Sequence, residues 1–414
     1  MRVKFLFAVA LCFAGQTLAQ DSSNVRTVGF YDTPGDAYGI AVSGGYAYLG
    51  DYGLRIINIS NPANPTETGA YEDYGNTYGV AVTGNYAYAT NGYSGLRIID
   101  VSSPSSPTET GGYDTPHYAQ AVAVAGGYAY VAEGDSGLRV INVSDPASPT
   151  EAGNYVTPHF AYGVAVDGNY AYVADYYAGL RVIDISDTAN LTETGFYDTP
   201  GRALSVAVNG NYAYVADFDA GLRIIDISNP LNPSEVGHCD TPDNAWGVAV
   251  SGIYAYVTAA TAGLRVIDIS DPAAPVEVGY YDTPGSATGV AFAGGLIYVA
   301  DGSSGLGIYQ GYGPAGIAGD PLQNANLKIQ NLKLRVYGNT VEYSLPQSGQ
   351  ASIKVFNLLG QEVRTLANEF KGSGVYSLQW NGRDAGKRKV ASGVYLVRLE
   401  SNGQTATGKM VIVR

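Results

Sequence analysis

Two histidines stand at matching points of neighbouring segments, His117 in YDTPHYA and His159 in YVTPHFA. Two imidazoles beside carboxylates could hold a metal ion or act as acid and base. The chain has no HxH, no HExxH and no third ligand at a sensible spacing, so no metal, cofactor or catalytic set is assigned. It also has no GxSxG elbow, phosphate loop, CxxC pair or EF-hand loop. Around the histidines lie other residues that break a repeating pattern: Arg202, Asp243 and Trp246 in the same class of loop, with Phe160 and Tyr177 as aromatic surface and Asp219 as an acid. Aromatic rings beside carboxylates and amides suit a sugar or peptide ligand. The candidate ligand-binding set is therefore His117, His159, Phe160, Tyr177, Arg202, Asp219, Asp243 and Trp246.

These residues must be positioned by the pattern they interrupt. GLRIINIS at Gly53 returns as GLRIIDVS at Gly95, then at Gly137, Gly179, Gly221 and Gly263, with a decayed copy at Gly305. Each start lies 42 residues after the last, which marks a repeat architecture. One unit, residues 69–110, reads as four short strands: GAYE, YGVAV, YAYAT and GLRIIDVS. Tight Gly/Asn turns and paired prolines separate them. Four strands in 42 residues is the size of a propeller blade. Seven VAV–YAY pairs occur, from Ile40–Tyr48 to Val290–Tyr298. The last unit lacks its final strand, and the chain begins with a spare copy, Thr27–Asp32. That spare strand can close a seven-bladed ring and remove the open edges.

The YDTP loops and the loops before GLR then emerge on one face, which collects Asp32, Asp114, Asp198, Asp240 and Asp282 with Asp51, Glu133, Asp135, Asp175, Asp217, Asp219 and Asp301. One rim is expected to be acidic and aromatic. An Asp present in nearly every unit is read as a turn or inter-blade hydrogen-bond residue. The Arg of GLR is read as scaffold paired with an acid, since a lone buried charge is costly.

Composition agrees with an all-β chain: 54 Gly, 35 Tyr and only 14% charged residues in 414. Residues 27–310 hold seven Arg, no Lys and thirty acids, a net of −23, which disfavours nucleic acid. Residues 328–414 hold thirteen basic and five acidic side chains, a net of +8, and the reversal marks a domain boundary. Arg2 and Lys4, an apolar run and Ala19 read as a secretory signal peptide over 1–19, too short for a membrane span. No later stretch reads as transmembrane. Cys12 falls in that leader, leaving Cys239 as a single thiol where other units carry Tyr, a half-buried packing residue. A Gly/Pro/Ala-rich linker is expected over 311–327, and seven alternating strands over 328–414 suggest a small β-sandwich around Trp380.

The GLRVIDIS segments, six times at one spacing, resemble the LVIVD-repeat family, whose members are read as β-propellers. The resemblance covers about residues 27–310 and implies little about activity. The C-terminal segment resembles the sorting domain of type IX secretion substrates, an Ig-like sandwich shared with flagellar hook-capping proteins. It does so through YSLP at Tyr343, IKVFNLLG ending at Gly360, WNGRD with Trp380, Gly382 and Asp384, ASGVY with Ser392, Gly393 and Tyr395, and the terminal segment from Lys409. The NPFNP-type opening usual in that family is missing. This resemblance implies recognition by a translocon in the outer membrane and a secreted or surface location.

The expected function is a non-enzymatic binding module for an extracellular glycan, peptide or envelope partner. An extracellular hydrolase or lyase on the acidic rim is the first alternative, and a passive surface-layer component the second.

Overall fold

The computed structural model describes residues 22–72, 75–311, 333–337, 340–345, 349–357, 360–371, 374–380, 382–386, 388–402 and 404–412. The expected signal peptide over 1–19 and nearly all of the expected linker over 311–327 lie outside these residues. The chain divides into two compact units, Met1–Ala318 and Gly319–Arg414.

The first unit is a seven-bladed propeller. Each blade runs outward from an inner strand such as Gly79–Thr83 through Tyr86–Thr90 and Leu96–Asp100 to an outer strand, Thr108–Tyr113. Alternation puts the YAY and GLR strands at the centre of the packing, where Ala87, Ala89, Leu96, Ile98 and Ile99 are buried. Small residues on one strand and branched ones on the next let adjacent blades interdigitate. The inner strands touch one another around the whole ring, including Ile40–Ser43 against Gly289–Ala293.

The ring closes as the repeat count requires. Val25–Tyr31 pairs antiparallel with Leu306–Gly311 as the outer strand of the seventh blade. A short extra strand, Ser22–Ser23, adds to the sixth blade beside Val276–Tyr281, so the N-terminal segment staples two blades together. Gly29 allows this approach, because a Cβ there would overlap the carbonyl oxygen of Pro62 in the first blade. A belt of tyrosines also ties outer strands to the next blade: Tyr31 donates to Glu67 (3.2 Å), Tyr71 to Glu109, Tyr113 to Glu151 (2.5 Å) and Tyr197 to Glu235 (3.3 Å). Cys239, half-buried, takes the place of the tyrosine in the fifth blade, and burial raises its thiol pKa.

The second unit packs a three-stranded sheet, Lys333–Tyr337, Thr340–Leu345 and Gly374–Gln379, with a four-stranded one, Glu362–Lys371, Gly349–Phe356, Gly393–Ser401 and Gln404–Ile412. Trp380 is its central ring, edge-on to Tyr395 at 5.2 Å and donating Nε1–H to the Arg383 carbonyl at 2.8 Å. Gly360 and Gly382 turn with positive φ, 78° and 65°, and Asp384 pairs with Arg388 at 3.1 Å. Ser392, Gly393 and Lys409 are exposed.

Candidate functional site

The loops entering the inner strands and the loops before GLR meet on one face of the propeller. Antiparallel bridges join them between blades: Gly92 to Ala119, Gly134 to Ala161, Tyr176 to Ala203, Phe218 to Ala245, Ala260 to Ala287 and Ala37 to Gly302.

Behind this face lies a recurring clip. Asp175 is fully buried and accepts from Thr157 Oγ1 at 2.6 Å and from the His159 amide at 2.9 Å. Asp217 does the same with Thr199 Oγ1 (2.5 Å) and Gly201 (2.8 Å), and Asp301 with Thr283 and Gly285. Glu133 takes the His117 amide and Arg139 Nε. These acids therefore belong to the interior. Of the acids expected on the acidic and aromatic rim, Asp51, Glu133, Asp175, Asp217 and Asp301 are corrected to interior positions, where they satisfy backbone donors as the turn reading of the repeated acids expects. In the sixth blade the carboxylate changes sides: Ala259 occupies the acid's register, and Asp243 on the opposite loop accepts from the amide (3.1 Å) and hydroxyl of Thr261.

Desolvation dominates at the buried acids. The Asp217 carboxyl is pushed up to about 6 by burial, against the lowering effect of its hydrogen bonds and of Arg223. Asp175 and Asp301 are raised for the same first reason. Between about pH 4 and 6 the folded chain therefore holds protons that an unfolded chain has released. Stability should be greatest near the low end of that window and decline as pH rises through it, by about 2 kcal/mol from Asp217. Urea midpoints at about pH 4.5 and 7 should differ in this direction for the parent. Asp217→Asn should flatten the difference, and an unchanged slope would remove Asp217 as its cause.

The face opens inward to a central funnel of about 900 Å³ to which all seven inner strands contribute. Its wall is aromatic. Tyr38 packs on Tyr78 (5.1 Å), Tyr78 on Tyr118 (5.2 Å) and Tyr118 on Tyr93 (4.8 Å), while Phe160 lies 4.9 Å from Tyr162. Trp246, Gln120, Asp36 and Asp135 add polar and aromatic groups to the lining, in which no Lys or Arg stands among the described residues.

Of the expected site residues, His117, Phe160 and Trp246 line this funnel. His159 instead stacks on Tyr176 (5.5 Å) and meets Tyr177 edge-on (5.2 Å), further out on the rim. The two histidines make equivalent backbone contacts, each amide donating to the acid of its own blade, but only His117 lines the funnel. Arg202 lies beside Asp219 at 3.9 Å, and Asp243 is engaged by Thr261. Among the described residues no group of three His, Cys, Asp or Glu side chains is placed to hold a metal. Sequence reasoning passed over Tyr38, Tyr78, Tyr118 and Tyr162. Their signal was the aromatic that recurs just before the inner strand in YGI, YGV and WGV.

The LVIVD repeat model matches seven times, over residues 34–73, 74–115, 116–157, 160–199, 200–241, 242–283 and 284–308. The FlgD Ig-like domain model matches residues 338–405. The chain is similar in structure to U3-55K (11% identity, TM-score 0.58, 69% of this chain and 98% of that one). It is also similar to the Cps50 (Swd1) β-propeller domain of Myceliophteria thermophila (11%, 0.58, 69% and 99%) and to the computationally designed Ika8 protein (9%, 0.52, 69% and 99%). At such identities these likenesses speak for the fold alone. No curated protein matches.

Proposed function

Because this chain belongs to the LVIVD repeat family and carries a FlgD Ig-like domain later in the sequence than its propeller, we propose that it is an exported, non-enzymatic binding module that takes a glycan in its central funnel. The observation that carries this reading is the aromatic wall formed by Tyr38, Tyr78, Tyr118 and Trp246 around a wide, open cavity. Flat rings receive the C–H faces of sugars, while Asp36, Asp135 and Gln120 offer acceptors and a donor for hydroxyls. The rings of Tyr38, Tyr78, Tyr118 and Tyr93 form a continuous arc, not a closed box, which suits a ligand that lies along the rim. The apolar, Ala-ended leader over 1–19 supports export, and the WNGRD and ASGVY segments support recognition of the Ig-like domain by a type IX translocon. Deleting residues 328–414 should then leave the propeller undelivered to the cell surface, as read by surface proteolysis of whole cells.

The binding reading is tested by thermal melts of the purified full chain against a panel of oligosaccharides. A matching glycan at about a hundredfold excess over its Kd should stabilise by about 2.7 kcal/mol. Tyr78→Ala and Trp246→Ala should abolish the shift without lowering the unliganded melting temperature by more than a few degrees. A panel with no shift would end the reading. A stoichiometric metal, with a melt lowered by chelator, would instead favour hydrolytic chemistry at His117 or His159.

A further inference from the structure

Six side chains form an unbroken row along the rim from the fourth blade to the sixth. Tyr177 meets Tyr176 edge-on at 4.5 Å, and His159 stacks on Tyr176. The Arg202 guanidinium lies 4.1 Å over the ring of Phe218 and 5.9 Å from that of Tyr176, and Phe218 meets Trp246 edge-on at 5.6 Å. Tyr176 and Phe218 hold this arrangement with left-handed backbones, φ 50° and 49°. The second, third and seventh blades carry Gly92, Gly134 and Gly302 at the same register, with φ 52°, 48° and 51°. A bulky side chain is disfavoured there, and such strain collects where a surface has a task. Ala260 holds the same register in the sixth blade with φ 43°, so the turn is common to the repeat and the size of the side chain sets the fourth and fifth blades apart. Tyr176 and Phe218 stand in adjacent blades beside the one Arg or Lys of residues 27–310 that lies outside a GLR segment.

The Phe218 ring covers one face of the Arg202 guanidinium, and the Tyr176 hydroxyl meets one of its N–H groups. Of five N–H donors, one is used, by the Tyr176 hydroxyl at 3.3 Å, and the nearest acid, Asp219, is mostly exposed at 3.9 Å. A planar fork held on one face by a ring, with most of its N–H donors unused, matches a carboxylate, which accepts two parallel hydrogen bonds. Exposed rings on either side, Tyr177 and Trp246, offer stacking surfaces for the sugar that carries it.

Resting on the glycan-binding reading above, we propose that this row is a subsite for a uronic acid residue, with the carboxylate on the edge of Arg202 and the pyranose ring against Tyr177 or Trp246. The long-range field of residues 27–310, net −23, repels such a ligand. Attraction must therefore come from the short contact, and raising NaCl from about 0.05 to 0.5 M should leave binding intact or tighten it, because screening weakens the distant repulsion most.

The test is calorimetric titration of the full chain with a galacturonate trimer and with its methyl ester, which keeps the ring and removes the charge. The acid should bind about tenfold or more tightly than the ester. Arg202→Gln should erase that preference, and Arg202→Lys, which keeps the charge and loses the fork, should reduce it. Tyr176→Gly and Phe218→Gly should lose the preference while the melting temperature holds or rises, since glycine relieves the left-handed strain. Equal binding of acid and ester would overturn the carboxylate subsite and leave the glycan reading standing, as would binding confined to neutral glycans of the panel. A preference that survives in Arg202→Gln, or Gly variants that melt lower with the preference intact, would make the row a structural pin. No binding by any glycan would remove both readings.

Discussion

A chain shortened to begin after Tyr31 should lose cooperative folding of the propeller and associate through its open edge. The N-terminal strand supplies the outer ladder of the seventh blade, from Val25 opposite Gly311 to Tyr31 opposite Leu306. It buries Val25 and Val28 and carries the Tyr31–Glu67 bond across the junction with the first blade. Each buried valine contributes about 1.5–3 kcal/mol and each hydrogen bond about 1. The sum approaches the whole stability of an ordinary domain, roughly 5–15 kcal/mol. What remains exposed is the backbone edge of Leu306–Gly311, a template for pairing with another copy. Gly29→Val should reproduce the defect in milder form, because its side chain would be driven into the Pro62 carbonyl. Size-exclusion chromatography and circular-dichroism melts read both outcomes. A monomeric truncation with the parent's melting temperature would show that the ring does not depend on this closure.

Glu133→Ala should destabilise the propeller by about 3 kcal/mol, the low end of the cost of breaking a buried ion pair, because Arg139 keeps a second acid. Glu133 is fully buried and satisfies both the His117 amide (2.6 Å) and Arg139 Nε. Arg139, itself buried, would retain Glu151 at 2.7 Å but lose its inner partner. A double variant, Glu133→Ala with Arg139→Leu, should recover part of the loss, since the stranded charge is then gone. The sixth blade suggests a fuller rescue. It already carries Ala259 where Glu133 stands, with Asp243 and Thr261 bonded across the loop. Adding His117→Asp and Asp135→Thr to Glu133→Ala copies that arrangement into the third blade and should regain more stability than Glu133→Ala alone retains. Denaturant midpoints decide it: a triple variant no better than the single one would mean that the two clips are not interchangeable.

These two results concern features of different legibility. Closure was readable in the chain because it is a matter of counting. Seven VAV–YAY pairs, six complete GLR-led units and one spare opening strand leave a single way to complete the last blade. The shared face of the YDTP and GLR loops followed from antiparallel order alone. The clip was only half readable. That Asp175 or Asp217 should serve the backbone was inferred from repetition, but both were also counted toward an acidic rim, and burial withdrew them from it. The exchange of Ala259 for Asp243 was invisible, since it joins residues 16 positions apart whose proximity depends on how one loop lies on another.

What the sequence by itself determined about this protein is its periodic part: strand spacing, blade number, the strand that closes the ring and the face on which irregular loops gather. All of these depend on order along the chain and on the two-residue period of a strand. The tertiary structure alone decided which side chains meet. His117 and His159 hold one register, yet one lines the funnel and the other stacks on Tyr176. Arg202 came to lie over the Phe218 ring and within reach of the Tyr176 hydroxyl because loops of two blades meet there. Such contacts are set by loop conformations and by the packing of neighbouring blades, which a local pattern of residues does not encode.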